Sequence, residues 1–311
     1  MASDNILVIR HGALGDFVMK TGLMHAIRVR HPDAHMTLLT QGFLVDFART
    51  LGYFDEILVD DRGYRLREWW RVVKRIIADT GFDLIYDLQS SNRTIMRYRP
   101  LACFLTRHPL RWGRIAKDRK GFNFYCTPSK PSYVPWFARI RHVDLPPFPV
   151  DLSNCGAHEE VVRALPERYA LLIPGCSAGN PQKRWPAANY RILSDYLFER
   201  HGLRSVLIGT KAEAQEIETI CSGNEHAVNL MGRSVIADIP EIARRAEVVI
   251  GNDTGPTHIS RFTGVRTIML FTAYDAGRAA AKVPNVVNLA AERVADIEVK
   301  AVQSAVEDFL K

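Results

Sequence analysis

Short apolar runs alternate with helical patterns along most of the chain, and this alternation limits the fold more than any other feature. In the first half "NILVIR", "HMTLLT", "EILVD" and "FDLIYDLQ" read as strands. Between them "DFVMKTGLMHAIRVRHP", "FLVDFARTLG" and "LREWWRVVKRIIADTG" read as helices, stopped by Pro32, a glycine and Gly81. Such an order predicts a mostly parallel sheet with helices on both faces. From about residue 142 the pattern lapses into the Pro-rich "HVDLPPFPVDLSNCGAHEEVVRALPERY", which has one short helix and reads as a linker. The alternation then resumes. "YALLIPGCSAGN", "RSVLIGT", "EVVIGND" and "RTIMLF" read as strands running into loops. "PAANYRILSDYLFERHG", "KAEAQEIETICSG", "VIADIPEIARRA", "GPTHISRFTG" and the terminal "VADIEVKAVQSAVEDFLK" read as helices. The expectation is an α/β chain with doubly wound domains at 1–150 and 169–311, joined by a linker at 151–168. In such domains the ligand loops lie at the strand C-termini, here predicted to face one another across a cleft.

The 311 residues suit two domains. A hydrophobic share of 47% and a charged share of 24% are ordinary for a water-soluble globular chain. No apolar run reaches the roughly 18 residues that read as a membrane span. The opening "MASDNILVIR" has neither the basic nor the long apolar region of a secretory signal. Cys103, Cys126, Cys155, Cys176 and Cys221 are scattered and lack metal-ligand spacing. They read as reduced thiols of a cytoplasmic protein.

Charge is divided unevenly. Residues 1–150 carry 23 Lys/Arg against 14 Asp/Glu, and residues 151–311 carry 18 against 20. The excess sits in "NRTIMRYRPLACFLTRHPLRWGRIAKDRK", with nine basic residues and one Asp. A stretch of this kind is either a solvated basic face or a surface for an anionic partner. No nucleic-acid motif accompanies it, so none is expected as a partner.

Two loops stand out. "RHGALGD" follows the first strand and leads into a helix; Gly12 and Gly15 suit a turn that lets a ligand approach the backbone. A bare phosphate cradle would not favour the carboxylate of Asp16, which can either cap the helix or accept a proton. In "GNDTGPTH" a strand ends before Asp253, and Thr254 and Gly255 offer N–H groups at a helix start where Pro256 is tolerated.

These stretches resemble glycosyltransferase family 9, the ADP-heptose:lipopolysaccharide heptosyltransferases. The match runs through "ILVIRHGALGDFVMKTGLMHAIRVRHPDAHMTLLT", "LLIPGCSAGNPQKRWP", "VLIGTKAEAQEIETI" and "NLMGRSVIADIPEIARRAEVVIGNDTGPTHISRFTGVRTIMLF", the last being the most specific. The resemblance implies the GT-B fold of two Rossmann-like domains. It implies an inverting transfer of heptose or a related sugar from ADP-heptose, or another nucleoside diphosphate sugar, to a lipopolysaccharide inner-core or similar glycan. Asp16 would be the base for the acceptor hydroxyl.

Donor binding would fall to Ser177, Lys183, Glu213, Met231, Gly232, Asp253, Thr254, Gly255 and His258. Lys183 and the helix N-terminus would meet the diphosphate, and Arg184 offers a second cation. Glu213 would take the ribose hydroxyls, Met231 and Gly232 would flank the base, and Asp253 would hold sugar hydroxyls. Each has a plainer reading as well: an exposed loop lysine, a first-turn glutamate, a core methionine, a hydrogen-bonded histidine. Gly12, Gly15, Arg93, Arg97, Arg111, Arg114, Lys117, Arg119 and Lys120 would serve a phosphorylated glycolipid acceptor or the anionic inner leaflet of a membrane, with the protein peripheral there. No metal and no cofactor are expected; Asp60 and Asp61 lack the Asp-x-Asp spacing of metal-dependent transferases.

The chain departs from the family in "LFTAYDAGRAAAKVPN", where Thr272 and Ala273 replace a Gly-Pro pair, and at Arg266, where proline is common. Two alternatives stay open. One is another sugar-nucleotide enzyme of this fold, such as a 2-epimerase; the other is a binding protein without turnover.

Overall fold

Apolar runs buried on both faces make the centre of each sheet. The computed structural model describes residues 5–61, 70–71, 73–74, 82–89, 111–117, 124–128, 152, 155–176, 179–279 and 284–311, with backbone only at 111–117, 124–128 and 278–279. The chain divides into two units, Met1–Pro147 and Phe148–Lys311.

In the first unit the strands are β1 (Asn5–Ile9), β2 (His35–Thr40), β3 (Glu56–Val59), β4 (Leu84–Asp87), β5 (Arg111–Lys117) and β6 (Phe124–Pro128), in the order β3-β2-β1-β4-β5-β6. All pair in parallel except β5 with β6. Ile6, Leu7, Val8 and Ile9 of β1 are fully buried, as a central strand covered on both faces requires. The predicted first helix is two helices, α1 (Leu14–Val18) and α2 (Thr21–Arg30). The break has a local cause. The Lys20 N–H turns back to the Phe17 carbonyl, and the Thr21 hydroxyl donates to the Val18 carbonyl at 2.8 Å, which satisfies the end of α1 without continuing it. A 3-10 turn at Gly42–Leu44 leads into α3 (Val45–Thr50).

The second unit holds β7 (Tyr169–Ile173), β8 (Arg204–Leu207), β9 (Ala227–Asn229), β10 (Val248–Asn252), β11 (Thr267–Thr272) and β12 (Val286–Ala291), all parallel, in the order β12-β11-β10-β7-β8-β9. Its described helices are α4 (Glu159–Arg163), α5 (Ala187–His201), α6 (Ala214–Cys221), α7 (Ile239–Arg245), α8 (Gly255–Phe262), α9 (Ala273–Ala279) and α10 (Val299–Leu310). Trp185, Tyr190, Leu193 and Leu197 pack with Leu172, Ile250, Ile268, Leu270 and Val302 in its core.

Four strands and one helix escape the apolar-run reading. β5 is masked by its charges, β9 has three residues, and the edge strands β6 and β12 have short runs interrupted by Thr127 and Asn288. α9, "AYDAGRA", lacks an apolar period and reads as loop. The terminal helix is also shorter than predicted, because Val294–Asp296 forms a separate 3-10 turn before α10.

Both sheets are doubly wound. The direction of strand addition reverses between β1 and β4 in the first unit and between β7 and β10 in the second. Loops leaving such strand pairs diverge and leave a crevice where ligands bind. Among the described residues no helix is long and apolar enough to cross a membrane.

Candidate functional site

At the second unit's reversal point, Asn252 joins the two diverging loops. The Asn252 side chain is fully buried, and its Nδ2 donates to the carbonyls of Pro174 (2.7 Å) and Gly175 (3.3 Å). Its Oδ1 accepts from the Trp185 N–H and the Tyr190 hydroxyl, both at 3.2 Å. The Trp185 indole N–H donates to the Ile297 carbonyl at 2.8 Å, so the turn that carries Lys183 is anchored in the core. Buried amides satisfied on both sides define one loop geometry.

Lys183 ends the 3-10 turn Pro181–Lys183 and reaches over β10. Its Nζ lies 2.8 Å from Asp253 Oδ2 and 3.1 Å from Asp275 Oδ2. The other Asp253 oxygen, Oδ1, is 3.0 Å from His258 Nε2. Burial works against the Asp253 charge, but His258 and Lys183 outweigh it and hold the carboxyl below its ordinary value. Burial pushes the His258 imidazole down despite Asp253, which favours the neutral ring with its Nε2 proton toward Asp253. Burial likewise opposes the charge on Lys183, and Asp253 and Asp275 more than restore it. Beneath them Arg261 is buried and its guanidinium is pulled down to about 10 by desolvation, against the attraction of Asp253. The result is a charged group of fixed geometry at the mouth of a parallel sheet.

α8 begins beside this cluster. Thr254 is its N-cap in extended conformation, Gly255 opens the helix, and Pro256 lies in the first turn. No side chain caps the start, and the Thr254 hydroxyl instead meets that of Thr257 at 3.2 Å. A helix start of this kind presents backbone N–H groups to an anion. Close packing of α8 on β10 depends on Gly251: a Cβ there would lie 2.5 Å from Thr257 Oγ1 and 2.9 Å from Ile173 Cβ.

The remaining expected donor residues lie at the C-terminal ends of β8 and β9. Glu213 is buried, and its Oε2 accepts from the Thr210 N–H (2.8 Å) and hydroxyl (2.7 Å) in a capping box. The first-turn role is thus present, whatever else the carboxylate does. Gly232 turns the chain with φ +70 and donates its N–H to Gly209 O at 3.3 Å. Met231 packs against the hydrophobic core. Arg184 pairs with Glu216 and donates to Cys176 Sγ, and so points along α6 as well as toward the loop. Ser177 lies outside the described residues.

The first unit has its own cluster where β1 to β4 end. Gly12 takes φ +114, a conformation that favours glycine, and its N–H donates to Gln41 Oε1 at 2.9 Å. Gln89 Oε1 accepts from Arg10 Nη1 and from the His11 N–H, both at 3.1 Å, across the reversal point. The same Arg10 Nη1 reaches the Leu88 carbonyl at 3.2 Å. Asp16 is in the first turn of α1, caps nothing, and is 74% exposed; its Oδ1 is 4.0 Å from Arg10 Nη2. Gly15 is inside the same helix. His11 and Asp60 face each other at 3.5 Å, both buried, while Asp61 accepts the Gly42 N–H at 2.6 Å.

Of the basic segment, Arg111, Arg114 and Lys117 lie on β5, where only the backbone is described. Arg93, Arg97, Arg119 and Lys120 lie outside the described residues.

Sequence reasoning missed Arg10, Gln41, Gln89, Asn252 and Asp275. Each sits within a few residues of a strand's C-terminal end, and that position is the signal that could have singled them out.

Comparison with known proteins shows the family and the fold. The model of glycosyltransferase family 9 (heptosyltransferase) matches residues 141–307, more than half of the chain. Lipopolysaccharide heptosyltransferase 1 of Pseudomonas aeruginosa is 24% identical over 229 residues, 67% of this chain. The match spans 59% of that relative's length. Among solved structures, a glycosyl transferase family 9 protein from Veillonella parvula superposes with a TM-score of 0.74 at 19% identity, covering 100% of this chain and 98% of that one. The E. coli heptosyltransferase WaaC with ADP gives 0.71 at 14% identity, covering 98% and 99%. The fold is therefore GT-B, built from two Rossmann-like domains. With the family model matched over most of the second unit and its charged cluster at the sheet's reversal point, the chain belongs to glycosyltransferase family 9, the heptosyltransferase family.

Proposed function

We propose that the protein is an inverting glycosyltransferase that moves a heptose or related sugar from ADP-heptose, or another nucleoside diphosphate sugar, to a lipopolysaccharide inner-core or similar anionic glycan. The observation that carries this reading is the Lys183–Asp253–His258 cluster beside the uncapped start of α8. Breaking the bond from the sugar carbon to a diphosphate leaves negative charge on the phosphates and positive charge on the sugar. Lys183 and the α8 N–H groups would take the former. Asp253, kept ionised by its two partners, would order sugar hydroxyls. Glu213 would reach the ribose, and Met231 and Gly232 the base.

Asp16 would receive the acceptor proton as the hydroxyl attacks, and one displacement inverts the anomeric centre. Its exposure and its freedom from a capping role suit a group that must meet an incoming acceptor. Arg10, 4.0 Å away, would help to aim that carboxylate. Ser177, Gly12, Gly15 and the basic residues of 93–120 complete the donor and acceptor sets in this reading. The protein would work in the cytoplasm, peripheral on the inner membrane, because an inner-core acceptor is a membrane lipid. Phosphate charge is met by Lys183 and backbone N–H groups, so the reaction would need neither metal nor cofactor.

The test is Asp16→Ala assayed with ADP-heptose and an inner-core acceptor. Turnover should fall at least about a hundredfold, the usual worth of a positioned base, while calorimetric affinity for ADP stays within about twofold of the parent. Undiminished turnover refutes the base assignment. A preference for UDP or GDP over ADP would discard ADP-heptose as donor.

A further inference from the structure

Resting on the donor-site reading above, the structure assigns a role to Asp275, which lies in the segment where the chain departs from its family. Asp275 is in the first turn of α9, with its side chain 15% exposed. Its Oδ2 is 3.1 Å from Lys183 Nζ, the group that would hold the donor's phosphates. Thr272 fixes it there. The Thr272 hydroxyl donates to Asp275 Oδ2 at 2.7 Å, and Thr272 Oγ1 accepts the Asp275 N–H at 3.1 Å. Lys183 therefore already faces two carboxylates, Asp253 and Asp275, and the two are not equivalent. Asp253 is the more buried and has a second partner in His258. The contact from Asp275 is longer and its other partner is a neutral hydroxyl.

A diphosphate brought to Lys183 comes within a few ångströms of the Asp275 carboxylate. Like charges at that spacing repel strongly where water is scarce. We propose that Asp275 is a second counter-ion of Lys183 and that the donor's diphosphate displaces it, with Thr272 setting how readily it leaves. Asp275 is then a positioning residue with two effects. It holds the Lys183 ammonium over β10 before the donor arrives, and it lowers affinity for the diphosphate product by competing for the same ammonium.

The test measures ADP, inorganic pyrophosphate and adenosine binding by calorimetry for the full chain and for Asp275→Asn, Thr272→Val and Lys183→Ala. Asp275→Asn keeps the shape and removes the charge. It should tighten ADP and pyrophosphate by roughly three- to thirtyfold and leave adenosine unchanged. Thr272→Val should shift the two anions the same way by a smaller factor, and it tests the assignment independently should Asp275→Asn fold poorly. A residue that merely caps α9 would move all three ligands together or none. If the parent binds ADP and pyrophosphate and Lys183→Ala weakens both, yet Asp275→Asn and Thr272→Val leave anion affinity unchanged or lower, the assignment is overturned alone. If the parent binds neither anion, or Lys183→Ala changes nothing, the donor-site reading falls and takes the assignment with it.

Discussion

His258 shows how a single side chain ties the site to the fold. It lies on α8 one turn beyond Thr254, is nearly inaccessible, and meets Asp253 through Nε2. Lys183 and Arg261 also face this small volume, and both oppose a further positive charge. Because burial depresses the folded imidazole below its ordinary 6.5, the unfolded chain takes up that proton first as pH falls. The resulting stability is present above pH 6.5 and is lost as pH drops through the lower folded value. His258→Gln should therefore flatten the fall in Tm between about pH 7 and pH 5. It should leave the acid loss below about pH 4 that comes from carboxylates outside this cluster, such as Asp55 and Glu241, which are held down against burial by their own arginine partners. An unchanged slope from pH 7 to 5 would show that this imidazole does not control it.

At the scale of elements, the site depends on how closely α8 lies on β10. Gly251 permits that approach, with Thr257 on one side and Ile173 of β7 on the other. Gly251→Ala forces a Cβ to 2.5 Å from a hydroxyl oxygen and 2.9 Å from a branched Cβ. Overpacking of this kind costs about 1–3 kcal/mol. Removing the Thr257 side-chain atoms as well should restore part of the loss and not all, because Ile173 remains. Urea denaturation of the single and double variants measures both values; full recovery would show that the sheet contact yields easily.

For the whole molecule, each unit has its own sheet and its own reversal point. In the proposed reaction the donor belongs to the second unit and the acceptor to the first. Saturating ADP should therefore slow amide hydrogen exchange in the loops after β7 and β10 and at the start of α8. The β1 to β4 loops should exchange as before, until an anionic acceptor analogue is added. Protection by ADP spread evenly over both units would contradict this division.

Much of this was legible in the amino-acid order. Apolar runs such as Ile6–Ile9 and Tyr169–Ile173 suit the middle of a parallel sheet covered on both faces, so the α/β class was legible from them. "GNDTGPTH" likewise marks a helix start after a strand, because Gly and Pro there suit few other backbones. Pairing across long sequence separations was not legible. Lys183 finds Asp253 seventy residues away, and Asn252 reaches Pro174 across seventy-eight. Nothing local in "AYDAGRA" says that Asp275 will face Lys183. Local order decides which residues can be buried or can turn; only the doubly wound sheet, by bringing distant strand ends side by side, decides which charges meet.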